Sequence, residues 1–115
     1  KKIILGDIDA KRDWGYAGDY VEAMWKMLQQ KKPNDFVIGT GITHSVKDFL
    51  RIAFKYVNLD YKDYIKFDKK LIRPKESVIL LADSRKAKKI LKWKPKTTFK
   101  EMIHKMIDAD IKRVK

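Results

Sequence analysis

Cysteine is absent from the 115 residues, which excludes disulfides, thiolate metal sites and cysteine nucleophiles together. Histidine occurs only as His44 and His104, far apart and in different expected elements. A zinc site built mostly on imidazole is therefore not expected. No apolar run approaches the ~18 residues a membrane-spanning helix needs. The opening Lys1-Lys2-Ile3-Ile4-Leu5-Gly6 is too short in apolar residues to be a signal peptide. Cytoplasmic location without membrane contact is the resulting expectation. The first residue is lysine, so the chain reads as a portion of something larger. Also missing are a Gly-x-Gly-x-x-Gly fingerprint, a Gly-Lys-Ser/Thr phosphate loop and a Tyr-x-x-x-Lys pair. Gly39-Thr40-Gly41 is too short to replace the first of these. Spacing alone yields no complete active site.

What is present is the material of one ordinary domain. Hydrophobic residues make up 44% and aromatics 11%, enough for a real core and too much for a disordered tail. Lysine and arginine number 28 against 15 acids, for a net charge of +13. The excess concentrates between Arg85 and Lys100, where Arg85, Lys86, Lys88, Lys89, Lys92, Lys94, Lys96 and Lys100 occur without an acid. Such a run attracts polyanions, or an anionic substrate. Lysine far outnumbers arginine here, which favours a solvated face over a base-reading site.

The pattern predicts an α/β fold (mixed), with three or four short strands alternating with helices and no internal repeat or domain boundary over 1–115. Tyr20–Gln30 has helix formers, an acidic start and apolar residues at 20, 21, 24, 27 and 28, which predict one buried stripe. Asp35–Gly39 is a short β-branched run bounded by turn residues, hence a strand. Ser45-Val46-Lys47-Asp48 reads as a capping box for a helix with Phe49, Leu50, Ala53, Phe54 and Val57 inward, stopped by Asn58. Tyr64–Phe67 alternates as a strand and Ser77–Ala82 reads as a buried one. Asp83 or Ser84 caps a short basic helix ending near Leu91. Thr98-Phe99-Lys100-Glu101 is a second capping box, for a last helix to about Val114.

Single candidates are mostly ordinary. His104 reads as structural and His44 as a surface or capping residue. Met24, Met27, Met102 and Met106 read as core, and Trp14, Tyr16 and Trp25 as buried aromatics rather than stacking platforms. Arg12 and Arg73 stand out from the lysine background. Arg12 lies in Ala10-Lys11-Arg12-Asp13-Trp14-Gly15, and Arg73 in Ile72-Arg73-Pro74-Lys75-Glu76, where proline stiffens the loop. Arginine in a rigid loop suits bidentate capture of phosphate. An exposed ion pair, of Arg12 with Asp9 or Asp13 and of Arg73 with Glu76, fits these residues equally well.

The stretch Leu5–Trp25, with Asp13-Trp14-Gly15-Tyr16-Ala17-Gly18-Asp19-Tyr20 at its centre, and Met27-Leu28-Gln29-Gln30 resemble the C-terminal part of GDP-mannose 4,6-dehydratases. These belong to the extended short-chain dehydrogenase/reductase superfamily. The resemblance continues through Asp35–Gly41, Thr43–Val46, Arg73-Pro74-Lys75-Glu76, Asp83–Ala87 and Leu91–Pro95, and so covers essentially the whole chain. It implies the substrate-binding portion of an NADP-dependent lyase of deoxysugar synthesis, lacking most of its Rossmann domain. By the same resemblance Arg12 and Arg73 bind the diphosphate of GDP-mannose, Glu76 contacts the ribose and Lys2 lies near the nucleotide. NADP and the catalytic residues belong to the preceding half, so this portion by itself is expected to be inactive. The absent Rossmann domain and further copies of the parent are the expected partners, and Tyr20–Gln30 and Asp35–Gly39 are the surfaces expected to meet that domain. Five positions depart from the family pattern: Asp7 for asparagine, Ser77-Val78 for Val-Asp, and Ala82 and Lys92 for glycines. An epimerase or reductase of the same superfamily is the alternative within it. A basic nucleic-acid-binding module using Arg85–Lys100 is the alternative outside it.

Overall fold

The computed structural model describes residues 1–73 and 80–115. Among these residues four short strands and four α-helices follow in order: β1 (Ile3–Leu5), β2 (Lys11–Arg12), α1 (Ala17–Leu28), β3 (His44–Ser45), α2 (Val46–Tyr56), β4 (Ile65–Phe67), α3 (Arg85–Ile90) and α4 (Phe99–Val114). The mixed α/β class is as expected. The residues gather into two compact units, each assembled from segments distant in sequence. The first unit comprises Lys1–Arg12, His44–Ile79 and Ile103–Lys115, and the second Asp13–Thr43 and Leu80–Met102. The interleaving explains why no linker marks the sequence.

In the first unit β1 pairs in parallel with β4, Ile3 opposite Ile65 and Leu5 opposite Phe67. β2 pairs antiparallel with β3, Arg12 opposite His44. The strand expected at Tyr64–Phe67 is therefore present. Its partner β1 escaped the sequence because three residues are too few for a periodicity. The Ser45 hydroxyl accepts the Asp48 N–H at 3.0 Å and the Asp48 carboxylate accepts the Ser45 N–H at 3.0 Å, closing the capping box. Asn58 stops α2 as expected: it takes φ 61°, while Asn58 N–H donates to Lys55 C=O and Leu59 N–H to Phe54 C=O. Those two bonds are the Schellman pattern, which satisfies carbonyls a helix end would otherwise leave open. On α4, His104 stacks on Tyr56 at 3.9 Å between ring centroids, the structural part read for it.

The second unit is built around Trp93, 1% exposed, with Ala23, Ala87 and Leu91 beside it and Tyr20, Met27, Phe36 and Ile38 packed against them. The Trp93 indole N–H donates to the Asp19 carbonyl at 2.8 Å. The Asp19 carboxylate accepts the N–H groups of Lys96 and Thr97 at 3.1 and 2.9 Å. Gly15 is held by close approach, since a Cβ there would lie 1.8 Å from the Tyr20 hydroxyl oxygen. Within the motif at 13–20, Gly15, Asp19 and Tyr20 thus serve packing and clasp. The second capping box also forms, with Thr98 and Glu101 exchanging hydrogen bonds at 3.2 and 3.4 Å.

Three expectations need correction. Asp35–Gly39 is extended, with Phe36 and Ile38 inward and Val37 outward, but forms no ladder. Gly39 gives its N–H to the Ser84 hydroxyl at 3.0 Å and accepts from that hydroxyl at 2.8 Å, so a side chain stands where a neighbouring strand would. The stripe on α1 is divided. Ala23 is buried and Tyr20 and Met27 face the core, whereas Val21, Met24, Trp25 and Leu28 are 58–81% exposed. Helical spacing carries apolar residues on two faces here, and one core covers only one of them. Among the residues read as core or buried aromatic, Met24 and Trp25 are therefore exposed; on α4, Met106 is exposed too while Met102 is buried. Of the strand expected at Ser77–Ala82, residues 77–79 lie outside those described; Leu80 and Leu81 are more than half exposed and belong to no strand.

Lys92, which replaces a family glycine, takes φ 56° just beyond α3, where an L side chain is strained and glycine is not. Lys92→Gly is expected to raise stability by about 1 kcal/mol, read as a higher urea midpoint at unchanged slope. A lowered midpoint would mean that the lysine stem packs usefully.

Candidate functional site

Lys2, Arg12 and Arg73 all belong to the first unit, and all three are exposed. Glu76 lies outside the described residues. Arg12 ends β2, where its pairing with His44 holds the backbone extended, and one guanidinium nitrogen donates to the Lys11 carbonyl at 2.7 Å. The loop before it is pinned to the start of α2: Val46 N–H donates to Ala10 C=O at 3.1 Å and Lys47 N–H to Ile8 C=O at 2.8 Å. Asp7, in place of the family asparagine, accepts the Asp9 N–H at 2.9 Å. An asparagine oxygen makes the same turn, so this departure leaves the loop geometry intact.

Arg73 is placed by the other edge of the same unit. Asp68 N–H donates to the Leu5 carbonyl at 2.9 Å, and a single 3₁₀ turn at Lys69–Leu71 then leads to Arg73. Its loop therefore leaves from the C-terminal end of β1. Lys2 precedes the N-terminal end, where Ile3 N–H donates to Tyr64 C=O at 2.7 Å. A strand rises about 3.3 Å per residue, so the backbone of Lys2 starts about 10 Å from the point at which the Arg73 loop departs. A guanidinium grips a phosphate in the forked manner a lysine cannot.

The Gly39–Gly41 turn lies in the second unit and is already occupied. The Asp13 carboxylate accepts the Thr40 hydroxyl, the Thr40 N–H at 3.0 Å, the Gly41 N–H at 2.9 Å and the Ala82 N–H at 3.3 Å. Gly39 must be glycine, because a Cβ would sit 2.2 Å from that of Ala82. The amides a dinucleotide phosphate would need are thus given to a side-chain carboxylate. With no glycine-rich fingerprint either, the residues described here do not fit a nicotinamide dinucleotide. Among the described residues, no cluster of histidine, aspartate and glutamate could hold a metal ion. The sequence treated Asp13 as a motif member or an ion-pair partner of Arg12; its backbone clasp had no signal in spacing.

Burial pushes the Asp13 carboxyl upward, and the hydrogen bonds from Thr40, Gly41 and Ala82 outweigh it, leaving the pKa below its ordinary value. A depressed folded pKa gives stability that is full above the unfolded value, near 3.9, and is lost as the pH falls through the folded one. Asp13→Ala is expected to lower stability by about 1–2 kcal/mol at pH 7, a figure reduced for partial exposure. That deficit should shrink in urea titrations taken below pH 4. A deficit independent of pH would assign the loss to packing alone.

The family model described as GDP-mannose 4,6 dehydratase matches residues 1–106. The chain is 51% identical over 114 residues to GDP-mannose 4,6 dehydratase 1 of Arabidopsis thaliana, covering 99% of this chain and 32% of that protein. It is 46% identical over 130 residues to GDP-mannose 4,6 dehydratase of Dictyostelium discoideum, covering 98% and 36%. Among solved structures, dTDP-glucose 4,6-dehydratase from Bacillus anthracis in complex with NAD superposes with a TM-score of 0.82 at 20% identity, covering 97% of this chain and 35% of that one. The last likeness shows a shared fold. The chain spans about a third of the length of the relatives it matches. Match and fold together place it in the GDP-mannose 4,6-dehydratase family, within the extended short-chain dehydrogenase/reductase fold.

Proposed function

We propose that residues 1–115 act as one unit, the GDP-mannose-binding portion of a cytoplasmic GDP-mannose 4,6-dehydratase, a lyase that forms GDP-4-keto-6-deoxymannose with NADP. The observation that carries this reading is the family match over almost the whole chain, with Arg12 and Arg73 both present on loops braced from one compact unit. In it, Arg12 and Arg73 hold the diphosphate, Glu76 accepts hydrogen bonds from the ribose diol and Lys2 adds positive charge nearby. A whole protein of the relatives' length would hold NADP and the catalytic residues elsewhere, since neither a fingerprint nor a Tyr-x-x-x-Lys pair occurs here. The apolar face of Val21, Met24, Trp25 and Leu28 is consistent with a covering partner, either that cofactor-binding part or another copy.

Titration of the 115-residue chain with GDP-mannose, followed by calorimetry, tests the reading. Arg12→Ala and Arg73→Ala are each expected to weaken binding at least tenfold, and Arg73→Lys nearly as much, because a point charge does not replace a fork. Arg113→Ala is expected to leave binding unchanged. Unchanged affinity in both loop variants would overturn the assignment of the arginines. With NADP and GDP-mannose supplied, the chain by itself is expected to form no 4-keto sugar, and turnover would refute the assignment of the catalytic residues elsewhere.

A further inference from the structure

The excess of positive charge on the second unit is only partly compensated. Lys86 donates to Asn34 and to the Asp35 carbonyl and sits over the Phe36 ring. Lys96 pairs with Glu22 at 3.1 Å. Arg85 pairs with its neighbour Asp83 at 2.7 Å, both largely exposed. Lys88 and Lys94 have no acidic partner among the described residues, and both line one open cleft of about 460 Å³. Its other walls are the Gly39–Gly41 turn, the 81–85 segment, Trp93 and Pro95. A cleft of that size accommodates a small organic molecule.

Two features fix the chemistry of an occupant. Leu81 and Pro95 provide an apolar wall, backed by the buried Trp93, that suits a compact organic body. Lys88 and Lys94 add uncompensated cations from opposite sides of the Leu91–Trp93 bend, one from α3 and one beyond it. Neither nearby acid competes: backbone N–H groups and the Thr40 hydroxyl occupy the Asp13 oxygens, and Asp83, which lines the cleft, is paired with Arg85 at 2.7 Å. We infer that this cleft binds a small organic phosphate, its phosphoryl group between Lys88 and Lys94 and its organic part against Leu81 and Pro95. The site uses none of Lys2, Arg12, Arg73 or Glu76 and does not depend on the reading proposed for them.

The test uses 4-methylumbelliferyl phosphate as the probe and the 115-residue chain, read by fluorescence anisotropy at fixed ionic strength. One saturable site is expected. Lys88→Glu and Lys94→Glu should each weaken it about tenfold or more, since each removes a charge-assisted contact. The milder Lys88→Gln and Lys94→Gln should fall between, which guards against a folding defect. The charge-matched control Lys62→Glu, in the first unit, should bind as the unaltered chain does. Uncharged 4-methylumbelliferone should bind at least tenfold more weakly than its phosphate. Equal losses in the control would reduce the effect to net charge and overturn the site. Loss in Arg12→Ala or Arg73→Ala with Lys88→Glu unaffected would overturn it by assigning the probe to the arginine loops. Displacement by an oligonucleotide with a steep salt dependence spread over every lysine of α3 would replace it with a polyanion-binding face.

Discussion

A single aspartate ties the second unit together. Asp19 begins in the first turn of α1, yet its carbonyl receives the indole N–H of Trp93 and its carboxylate the N–H groups of Lys96 and Thr97. A buried carboxylate is tolerable only when its oxygens are satisfied, and here the satisfying groups come from a segment more than seventy residues away. That requirement sets where the chain after α3 must lie. Trp93 is then enclosed by Ala23, Ala87 and Leu91, with Tyr20 edge-on at 6.1 Å. The strained Lys92 is the local consequence, since the chain must turn sharply between Leu91 and Trp93 to bring the indole inward.

The same logic of satisfied backbone accounts for the features most suggestive of a nucleotide loop. Gly39-Thr40-Gly41 has the composition of a phosphate-binding turn, but the Asp13 carboxylate has taken the place of the phosphate. An anion held permanently by the protein makes a rigid turn and leaves no vacancy for a mobile one. In the first unit the side chains proposed to hold an anion are Arg12 and Arg73. Arg12 is steadied by β2, β3 and the start of α2, and Arg73 by the turn that follows β4. Two elements of the smallest possible size, a two-residue bridge and a three-residue parallel pair, fix the backbone near Arg12 and before Arg73.

Charge is distributed with a comparable division. Lys86, Lys96 and Arg85 are used locally, bracing 34–36, α1 and the start of α3 respectively. Lys88 and Lys94 are left facing a cleft. Of the eight cations that looked uniform in the sequence, three are therefore engaged by named partners and two line the cleft.

The sequence by itself determined what depends on near neighbours. Both capping boxes, the stop at Asn58, the short basic helix and the last helix all form where residue types three or four apart dictate them, because those bonds close within one turn. The family was equally legible, since the segment from Asp13 to Tyr20 and the later Leu91–Pro95 motif are specific combinations. Only the tertiary structure decided which apolar face of α1 is covered, because two faces carry the same residue types and the choice rests on where Trp93 packs. It also decided that Asp35–Gly39 runs extended against the Ser84 hydroxyl instead of in a ladder, and that Asp13 seals the glycine turn. In each case the deciding partner lies more than twenty-five residues away, and its arrival is a matter of packing and of satisfying buried polar groups, which no local pattern records.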